Sequence, residues 1–189
     1  MLLRPLSADD RAEFVRVHEI SRALFEPWLP ARPPGETFDD LFTCQLNQTL
    51  NGFRDGTQYR FIGLLADGRI AGFFNLFQIV RGAAQYAMAS WSVNAEVGRQ
   101  GFCTEGVTAL LDFAFASPPT GLGLHRAQAN IIPTNTPSIC VAEKVGFCRE
   151  GLAKGYLKIA GEWQDHFMYA KLADKHIFTF LQPAECSRP

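Results

Sequence analysis

The sequence has little of what marks a metalloprotein, a secreted protein or a membrane protein. Its five cysteines form no CxxC pair and no histidines cluster near them, so we expect neither a metal site nor a disulfide framework. No apolar run approaches the roughly 20 residues that a helix needs to cross a bilayer. Residues 1–5 lack the plan of a signal peptide. These absences predict a protein of the reducing cytoplasm with no membrane partner.

Neither sign of charge is in excess. The 18 Lys and Arg against 19 Asp and Glu give a formal net charge of -1, whereas proteins that bind nucleic acid usually carry a basic excess. We therefore expect no nucleic-acid partner. The 189 residues are 47% hydrophobic, which suffices for one globular domain with a full core. Cys140 and Cys148 are predicted to fill space in that core.

Hydrophobic periodicity predicts the element order β-α-α-β-β-β-α-β-α-β-β. The first two helices are expected over 7–24 and 37–54, before an antiparallel meander over 59–65, 70–80 and 85–93. A helix over 102–116 leads to a strand over 124–132, and one helical crossover makes that strand the parallel neighbour of the third meander strand. A helix ending at Gly146 and a hairpin over 148–159 and 162–172 complete the domain, 1–172. Residues 173–189 are predicted to be a tail.

Residues 91–105 are the most informative segment. They suggest a strand, a turn that contains Gly and Arg, and the start of a long helix. Gly98 and Gly101 let the backbone turn with its N–H groups outward, and the helix begins with unpaired N–H groups and a positive dipole end. Such a turn predicts an anion site, usually for a diphosphate. No Gly-Lys-Ser/Thr follows it, and the antiparallel meander before it disfavours a Rossmann unit.

Several motifs in the same order resemble the GNAT acetyltransferases, enzymes that move an acetyl group from acetyl-CoA to an amine. They are residues 98–105, 132–138, 143–147 and 150–151. Residues 24–30, 74–82 and 153–166 look most like the RimJ/RimL branch, whose members acetylate the N-terminal amine of ribosomal proteins. The resemblance covers about 2–172 and implies an α/β (α+β) fold, with a mixed, splayed sheet of about seven strands flanked by about four helices. The family's diphosphate turn is usually Q/R-x-x-G-x-G/A, and here Gly98 and Cys103 depart from it.

The resemblance implies acetyl-CoA as co-substrate and no metal. It places the diphosphate on the backbone amides of the turn and the pantetheine arm in the gap between the splayed strands. The residues expected to bind acetyl-CoA are Trp91, Ser92, Val93, Gly98, Arg99, Gln100, Gly101, Phe102, Cys103, Thr104, Asn130, Asn135 and Ser138. Trp91 is equally suited to core packing. Asn135 and Ser138 also suit a helix cap, and we expect capping from one of them.

The catalytic candidates implied by the resemblance are Ser138, Ser92 and Tyr156. Ser138 is expected to deliver a proton to the departing CoA thiolate, while water held by Ser92, Tyr156 or Asn75 removes the amine proton. Contacts with the acceptor are expected from Glu26, Trp28, Asn75 and Tyr156. The four histidines, His18, His125, His166 and His176, are predicted to be structural, and Asp165-His166 to form a cross-strand polar pair.

The sequence shows no evident residue to act as the general base. RimL-type enzymes have a carboxylate at the position that Leu157 occupies here. An α-amino group has a pKa of about 7.7–8.0 and a lysine amine about 10.4, a gap on the order of 3 kcal/mol, so an enzyme without a strong base should prefer α-amines. The sequence thus predicts acetylation of a protein N-terminus. Acetylation of a small amine, a non-catalytic acyl-CoA-binding module and a homodimer all stay open.

Overall fold

Seven strands form one mixed sheet with helices packed on both faces. The structure is a computed structural model and describes residues 1–173. The sheet order is β1-β2-β3-β4-β5-β7-β6, and the strands are β1 (Leu2–Pro5), β2 (Tyr59–Leu64), β3 (Ile70–Val80), β4 (Tyr86–Val93), β5 (Arg126–Ile131), β6 (Cys148–Ile159) and β7 (Glu162–Leu172). The helices are α1 (Arg11–Ile20), α2 (Arg22–Phe25), α3 (Phe38–Asp55), α4 (Phe102–Phe115) and α5 (Thr136–Lys144). Short 3-10 helices lie at Ala8–Asp10, Glu26–Trp28 and Ala95–Val97.

The predicted fold class is confirmed, and the bounds of β3, β6 and β7 are those expected. The expected four helices become five because the predicted helix over 7–24 is divided into a 3-10 helix, α1 and α2. The division falls at Ser21, which is fully buried and whose Oγ accepts a hydrogen bond from Ala95 N at 3.0 Å. This tertiary bond connects the break to the chain that follows β4. Residues 174–189, and with them His176 and nearly all of the predicted tail, lie outside the described residues.

Two apolar cores lie on opposite faces of the sheet. One packs β3, β4 and β5 against α4 and α5, with Phe74 and Leu110 fully buried. The other packs the sheet against α1 and α3, with Phe14 and Phe42 fully buried beside Phe73. Phe73 and Phe74 serve different cores because successive side chains of a strand point to opposite faces.

Gly106 sets how closely α4 lies on the sheet. A Cβ at this position would overlap the ring of Phe74 on β3. The start of α4, which carries the predicted anion site, therefore lies directly over the end of the meander.

The sheet opens between its two central strands. β4 and β5 are parallel neighbours, as predicted, but they pair only from Tyr86–Arg126 to Met88–Gln128. Beyond this point β4 continues on β3 as far as Val93, and β5 continues on β7 as far as Ile131. The facing edges of the two strands part after Met88 and Gln128, which confirms the splayed sheet.

The expectation for two cysteines is wrong. Cys140 and Cys148 are both exposed. Cys140 is on the outer side of α5, where the buried residue is Ala142, and Cys148 begins β6, the last strand in the sheet order. The hydrophobic pattern of short segments near Gly146 does not show which side faces the core.

Candidate active site

A cavity of about 680 Å³ fills the opening between β4 and β5. Residues 89–93 line it from β4 and residues 129–132 from β5 and the loop after it. The turn over 97–104 and the start of α5 also contribute, together with Leu24, Phe25, Trp28 and Leu29. The cavity thus lies where strands, a helix start and the segment after α2 meet.

This cavity collects nearly every residue that the sequence predicts to bind acetyl-CoA. The lining includes Trp91, Ser92, Val93, Gly98, Arg99, Gly101, Phe102, Cys103, Thr104, Asn130, Asn135 and Ser138. Gln100 is exposed and does not line it. Residues from four separate segments of the chain therefore share one site, and their binding roles stay predictions.

The turn before α4 presents unpaired backbone amides. Gly101, at the N-cap of α4, has a left-handed backbone (φ 90°) and provides no side-chain cap. The first intrahelical bond runs from Glu105 N to Gly101 O at 3.0 Å. The amides of residues 102–104 precede it and donate to no group within residues 1–173. Free amides at a helix N-terminus favour an anion.

The charged residues of the lining suit the same kind of ligand. Arg99 and Lys144 both line the cavity, and neither forms an ion pair with any group in the described part of the chain. No Asp or Glu lines the cavity. Two unpaired cations and a row of free amides, with no carboxylate between them, attract a diphosphate.

Two buried polar atoms on the strands that flank the opening have no hydrogen-bond partner in residues 1–173. They are the indole Nε1 of Trp91 on β4 and the side-chain oxygen of Asn130 on β5. Buried polar groups are rarely left unpaired in folded proteins. A donor and an acceptor left open on the two parted strands fit a ligand that carries amide groups, as pantetheine does.

The start of α5 shows which of its two candidates acts as the cap. The side-chain oxygen of Asn135 accepts from Ser138 N at 3.2 Å, and Asn135 is buried. Asn135 is therefore the N-cap, which fits the expectation that one of the two residues has this role. Ser138 lines the cavity, and its hydroxyl has no protein partner among the described residues.

Cys103 presents a thiol, not a thiolate, to the cavity. Burial raises the pKa of Cys103 to about 12. It is thus a small neutral residue at the place where the family pattern has Gly or Ala.

The remaining catalytic and acceptor candidates divide into two groups. Ser92 and Trp28 line the cavity. Asn75 and Tyr156 do not: Asn75 donates to Ser90 Oγ at 3.3 Å, and Tyr156 Oη accepts from Asn130 Nδ2 at 3.3 Å. Tyr156 touches the site through Asn130, so a direct role for it and for Asn75 stays a prediction.

Glu26 belongs to a second, larger depression. Its carboxylate accepts from Arg22 Nε at 2.7 Å and from Arg32 at 3.3 Å, and these bonds, that from Arg22 above all, lower the pKa of Glu26. The depression has a volume of about 1100 Å³ and lies between α1, the start of α3 and the Pro-rich segment after α2. Phe25 and Leu29 line both cavities and separate them.

His166 is a cavity residue that the sequence did not identify. Asp165 does form a cross-strand pair, with Lys154 Nζ at 2.8 Å, but His166 points to the other face of β7 and lines the cavity. Strand alternation could have indicated its position. Phe167 and Tyr169 pack in the core against α4 and α5, so His166 lies on the opposite face of the sheet. Lys144, at the end of α5, was also missed.

In residues 1–173 no group of three or more His, Cys, Asp or Glu is placed to hold a metal ion. None of the helices in this part of the chain combines the length and the apolarity needed to span a bilayer.

The fold and the site define an acyltransferase of mixed α/β class, with its cavity between two parted parallel strands. The chain belongs to the GNAT acetyltransferase family. Residues 1–148 match the family model described as Acetyltransferase (GNAT) domain. Its relatives and structural neighbours support the RimJ/RimL-like branch of this family.

The relatives and neighbours cover nearly the whole chain. The chain is 33% identical over 176 residues to the probable N-acetyltransferase YjcK of Bacillus subtilis, covering 90% of this chain and 92% of that protein. It is 28% identical to the ribosomal protein uS5-alanine N-acetyltransferase of Escherichia coli, covering 79% and 76%. Among solved structures, Mycobacterium smegmatis RimJ in complex with CoA-disulfide is 30% identical, with a TM-score of 0.81 over 90% of this chain and 81% of that one. Spermidine N-acetyltransferase from Vibrio cholerae, in complex with CoA and spermine, shares the fold at 23% identity and a TM-score of 0.73, covering 91% and 95%.

Proposed function

We propose that this acyltransferase moves the acetyl group of acetyl-CoA to the N-terminal α-amine of a protein. The observation that carries the proposal is the carboxylate-free cavity between β4 and β5, with free amides at the start of α4. The free amides support acetyl-CoA as the donor. The absence of a carboxylate base among the described lining residues supports an α-amine as the acceptor.

The donor is held by main-chain groups and two cations. The amides of residues 102–104 bind the diphosphate, with Arg99 and Lys144 as the nearby charges. A charge at a helix N-terminus contributes about 0.3–1 kcal/mol at exposed sites, so these contacts supply only part of the roughly 8 kcal/mol that micromolar binding takes. Trp91 Nε1 donates to a carbonyl oxygen of the pantetheine arm, and the Asn130 side-chain oxygen accepts from one of its amide N–H groups. Acetyl-CoA supplies the activated acyl group, and the protein orients it.

Ser138 is placed to assist the departure of the thiol. It lines the cavity and its hydroxyl has no protein partner among the described residues, while its backbone N–H is held by the Asn135 cap. A thiol has a pKa of about 8.5, so near neutral pH a donated proton helps the thiolate leave only modestly.

The acceptor is an amine that needs little help to lose its proton. Leu157, at the place of the RimL-type carboxylate, is 40% exposed and does not line the cavity. Glu26 is a weak base because its two arginine partners lower its pKa. Without a carboxylate beside the acyl group, an α-amine has the advantage over lysine of about 3 kcal/mol.

The second depression lies beside the cavity and meets it at Phe25 and Leu29, as a peptide acceptor requires. A chain end can enter the cavity while the residues behind it occupy the depression. Glu26 and Trp28 then contact the acceptor.

A small polyamine is the second candidate. Glu19, Glu26 and Glu36 line the depression and attract a polycation. Arg22 and Arg32 line it as well and offset much of that charge, so the charge balance favours the peptide.

A release assay for free CoA thiol compares the acceptor classes. The acceptors are a peptide with a free N-terminus and no lysine, the same peptide blocked at its N-terminus and carrying one lysine, and spermidine. We expect the free α-amine to give kcat/KM at least about tenfold above the other two, because the pKa gap between the amines permits more than that. Faster turnover of lysine or spermidine contradicts the proposal.

A further inference from the structure

The lining of the 680 Å³ cavity contains one side chain suited to take a proton near neutral pH. It has no Asp or Glu, and Arg99 and Lys144 are cations. Burial keeps the Cys103 thiol protonated, with its pKa raised to about 12. The remaining titratable residue of the lining is His166, and imidazole is the side chain that changes charge between about pH 5 and 8.

One hydrogen bond determines which ring nitrogen of neutral His166 carries the proton. Its Nδ1 lies 3.0 Å from the carbonyl oxygen of Gln164. A carbonyl oxygen only accepts, so Nδ1 carries the proton of the neutral ring and Nε2 keeps the lone pair. No group in residues 1–173 bonds to Nε2. The side chain is 3% exposed and packs against the ring of Tyr156 at 5.7 Å, which holds it in place.

We propose that Nε2 of His166 is the base that takes the proton of the attacking amine. The proposal rests on the acetyl transfer proposed above and adds a residue to it. The amine nitrogen forms a bond to the acyl carbon while the bond from that carbon to sulfur breaks and its electron pair leaves with sulfur. The amine proton goes to Nε2, the sulfur takes a proton from Ser138, which regains one from solvent, and His166 afterwards returns its proton to water. The products are an amide and the free thiol of CoA.

The surroundings of His166 contain charges of both signs. Tyr156 faces it from β6, and Asp165 precedes it on β7, where Lys154 Nζ and Gly155 N each donate to that carboxylate at 2.8 Å. Asp165 attracts the imidazolium that forms. Arg99 and Lys144 are the other charged residues of the cavity lining.

The test compares the wild-type protein with His166→Asn. The Asn amide can donate to the Gln164 carbonyl as Nδ1 does, but it has no basic nitrogen. The matched control is His125→Asn, because His125 is exposed and does not line the cavity. All three proteins are assayed between pH 5 and 9 on whichever amine the wild-type protein acetylates best. Calorimetry with CoA measures donor binding separately.

The expected result is a change in both rate and pH profile. Below neutral pH the wild-type kcat/KM should fall more steeply than that of His166→Asn, because only the wild type has a second group that must be neutral to take the proton. His166→Asn should lose about a hundredfold or more in kcat near neutrality, the usual size of a general-base effect, and its kcat/KM should fall by about tenfold per pH unit. CoA affinity and the behaviour of His125→Asn should match the wild type.

A second readout does not depend on turnover. A long-range proton–nitrogen spectrum of the neutral His166 ring should show the hydrogen on Nδ1. A hydrogen on Nε2, or wild-type rate and slope in His166→Asn, overturns the proposal. If His166→Asn fails to bind CoA, His166→Gln replaces it and the same outcomes apply. A preference for lysine or spermidine would contradict the proposed α-amine acceptor but not the role of His166. The His166 comparison uses the best acceptor of any class.

Discussion

At the scale of single residues, Asn135 and Ser138 have separate roles at the start of α5. The Asn135 side chain holds the backbone N–H of Ser138 at 3.2 Å and leaves the Ser138 hydroxyl available to the cavity. Capping positions the residue, and the hydroxyl is free for chemistry. The two roles can be tested independently because the cap uses the main-chain N–H of Ser138 and the chemistry uses its hydroxyl.

Ser138→Ala should lower kcat by about tenfold while leaving KM for acetyl-CoA nearly unchanged. The effect lies below the 10²–10⁴-fold range typical of general acid–base catalysis, because a thiolate leaves without much help near neutral pH. Steady-state kinetics with the best α-amine peptide measure it. Ser117→Ala, on the exposed loop after α4, should behave as the wild type. A kcat unchanged by Ser138→Ala assigns the hydroxyl no part in the reaction.

Sequence alone named about half of the residues that line the cavity, and His166 was not among them. Trp91, Gly101 and Asn135 belong to continuous motifs, and a motif is visible in one stretch of chain. Strand alternation indicates the face of β7 on which His166 lies, but only the pairing of β7 with β5 shows that this face borders the cavity. Such a residue appears only when strands distant in sequence are brought side by side.

At the scale of elements, the turn between β4 and α4 carries the donor site. Gly101 has φ 90°, and a Cβ there meets no atom within 4 Å, so any substitution is opposed by backbone strain alone. Gly98 has φ -57°, and its Cβ would lie 3.6 Å from Ala95 O, an ordinary contact. Gly101 and Gly98 are three residues apart, and only Gly101 has a left-handed backbone. Substituting each by Ala therefore distinguishes the effect of backbone strain from the effect of an added Cβ.

Gly101→Ala should lower the free energy of unfolding by about 1–2 kcal/mol, the cost of a left-handed conformation for a residue with a Cβ. It should also weaken acetyl-CoA binding, because relief of the strain moves the amides of residues 102–104. Gly98→Ala should change neither quantity appreciably. Urea unfolding and calorimetry measure both. Equal effects of the two substitutions contradict this account of the turn.

Element order was predictable to the extent that it depends on local pattern. The meander, the crossover through α4 and the closing hairpin follow from periodicity and turn residues, and the parallel pairing of β4 with β5 follows from the crossover. The break between α1 and α2 does not, because it depends on the bond from Ala95 N to Ser21 Oγ, across 74 residues of chain. The point at which β4 and β5 part is likewise set by their other neighbours, β3 and β7.

At the scale of the whole molecule, the core between the sheet and α1 contains a histidine. His18 is stacked on Phe14 at 4.0 Å, and its Nδ1 lies 2.9 Å from the Phe14 carbonyl oxygen. Burial lowers the pKa of His18 to about 4. The folded protein thus keeps this ring neutral well below pH 6.5, whereas the unfolded chain protonates it there. Stability from His18 is present above about pH 6.5 and is lost as the pH falls towards 4.

Lowering the pH from 7 to 5 should reduce the free energy of unfolding by about 2 kcal/mol through His18. Urea unfolding of the wild type and of His18→Phe at both values measures the difference, and the variant should lose less stability by that amount. His125→Gln, at an exposed position, should keep the wild-type dependence. Equal losses for the wild type and His18→Phe contradict a depressed pKa for His18.

The most direct test of the account is a crystal structure of the protein with CoA. We expect the diphosphate on the amides of residues 102–104, and the pantetheine arm between β4 and β5 with hydrogen bonds to Trp91 Nε1 and the Asn130 side-chain oxygen. The sulfur should lie near the Ser138 hydroxyl. A CoA molecule bound elsewhere, with the gap between the two strands left open, would contradict the central claim.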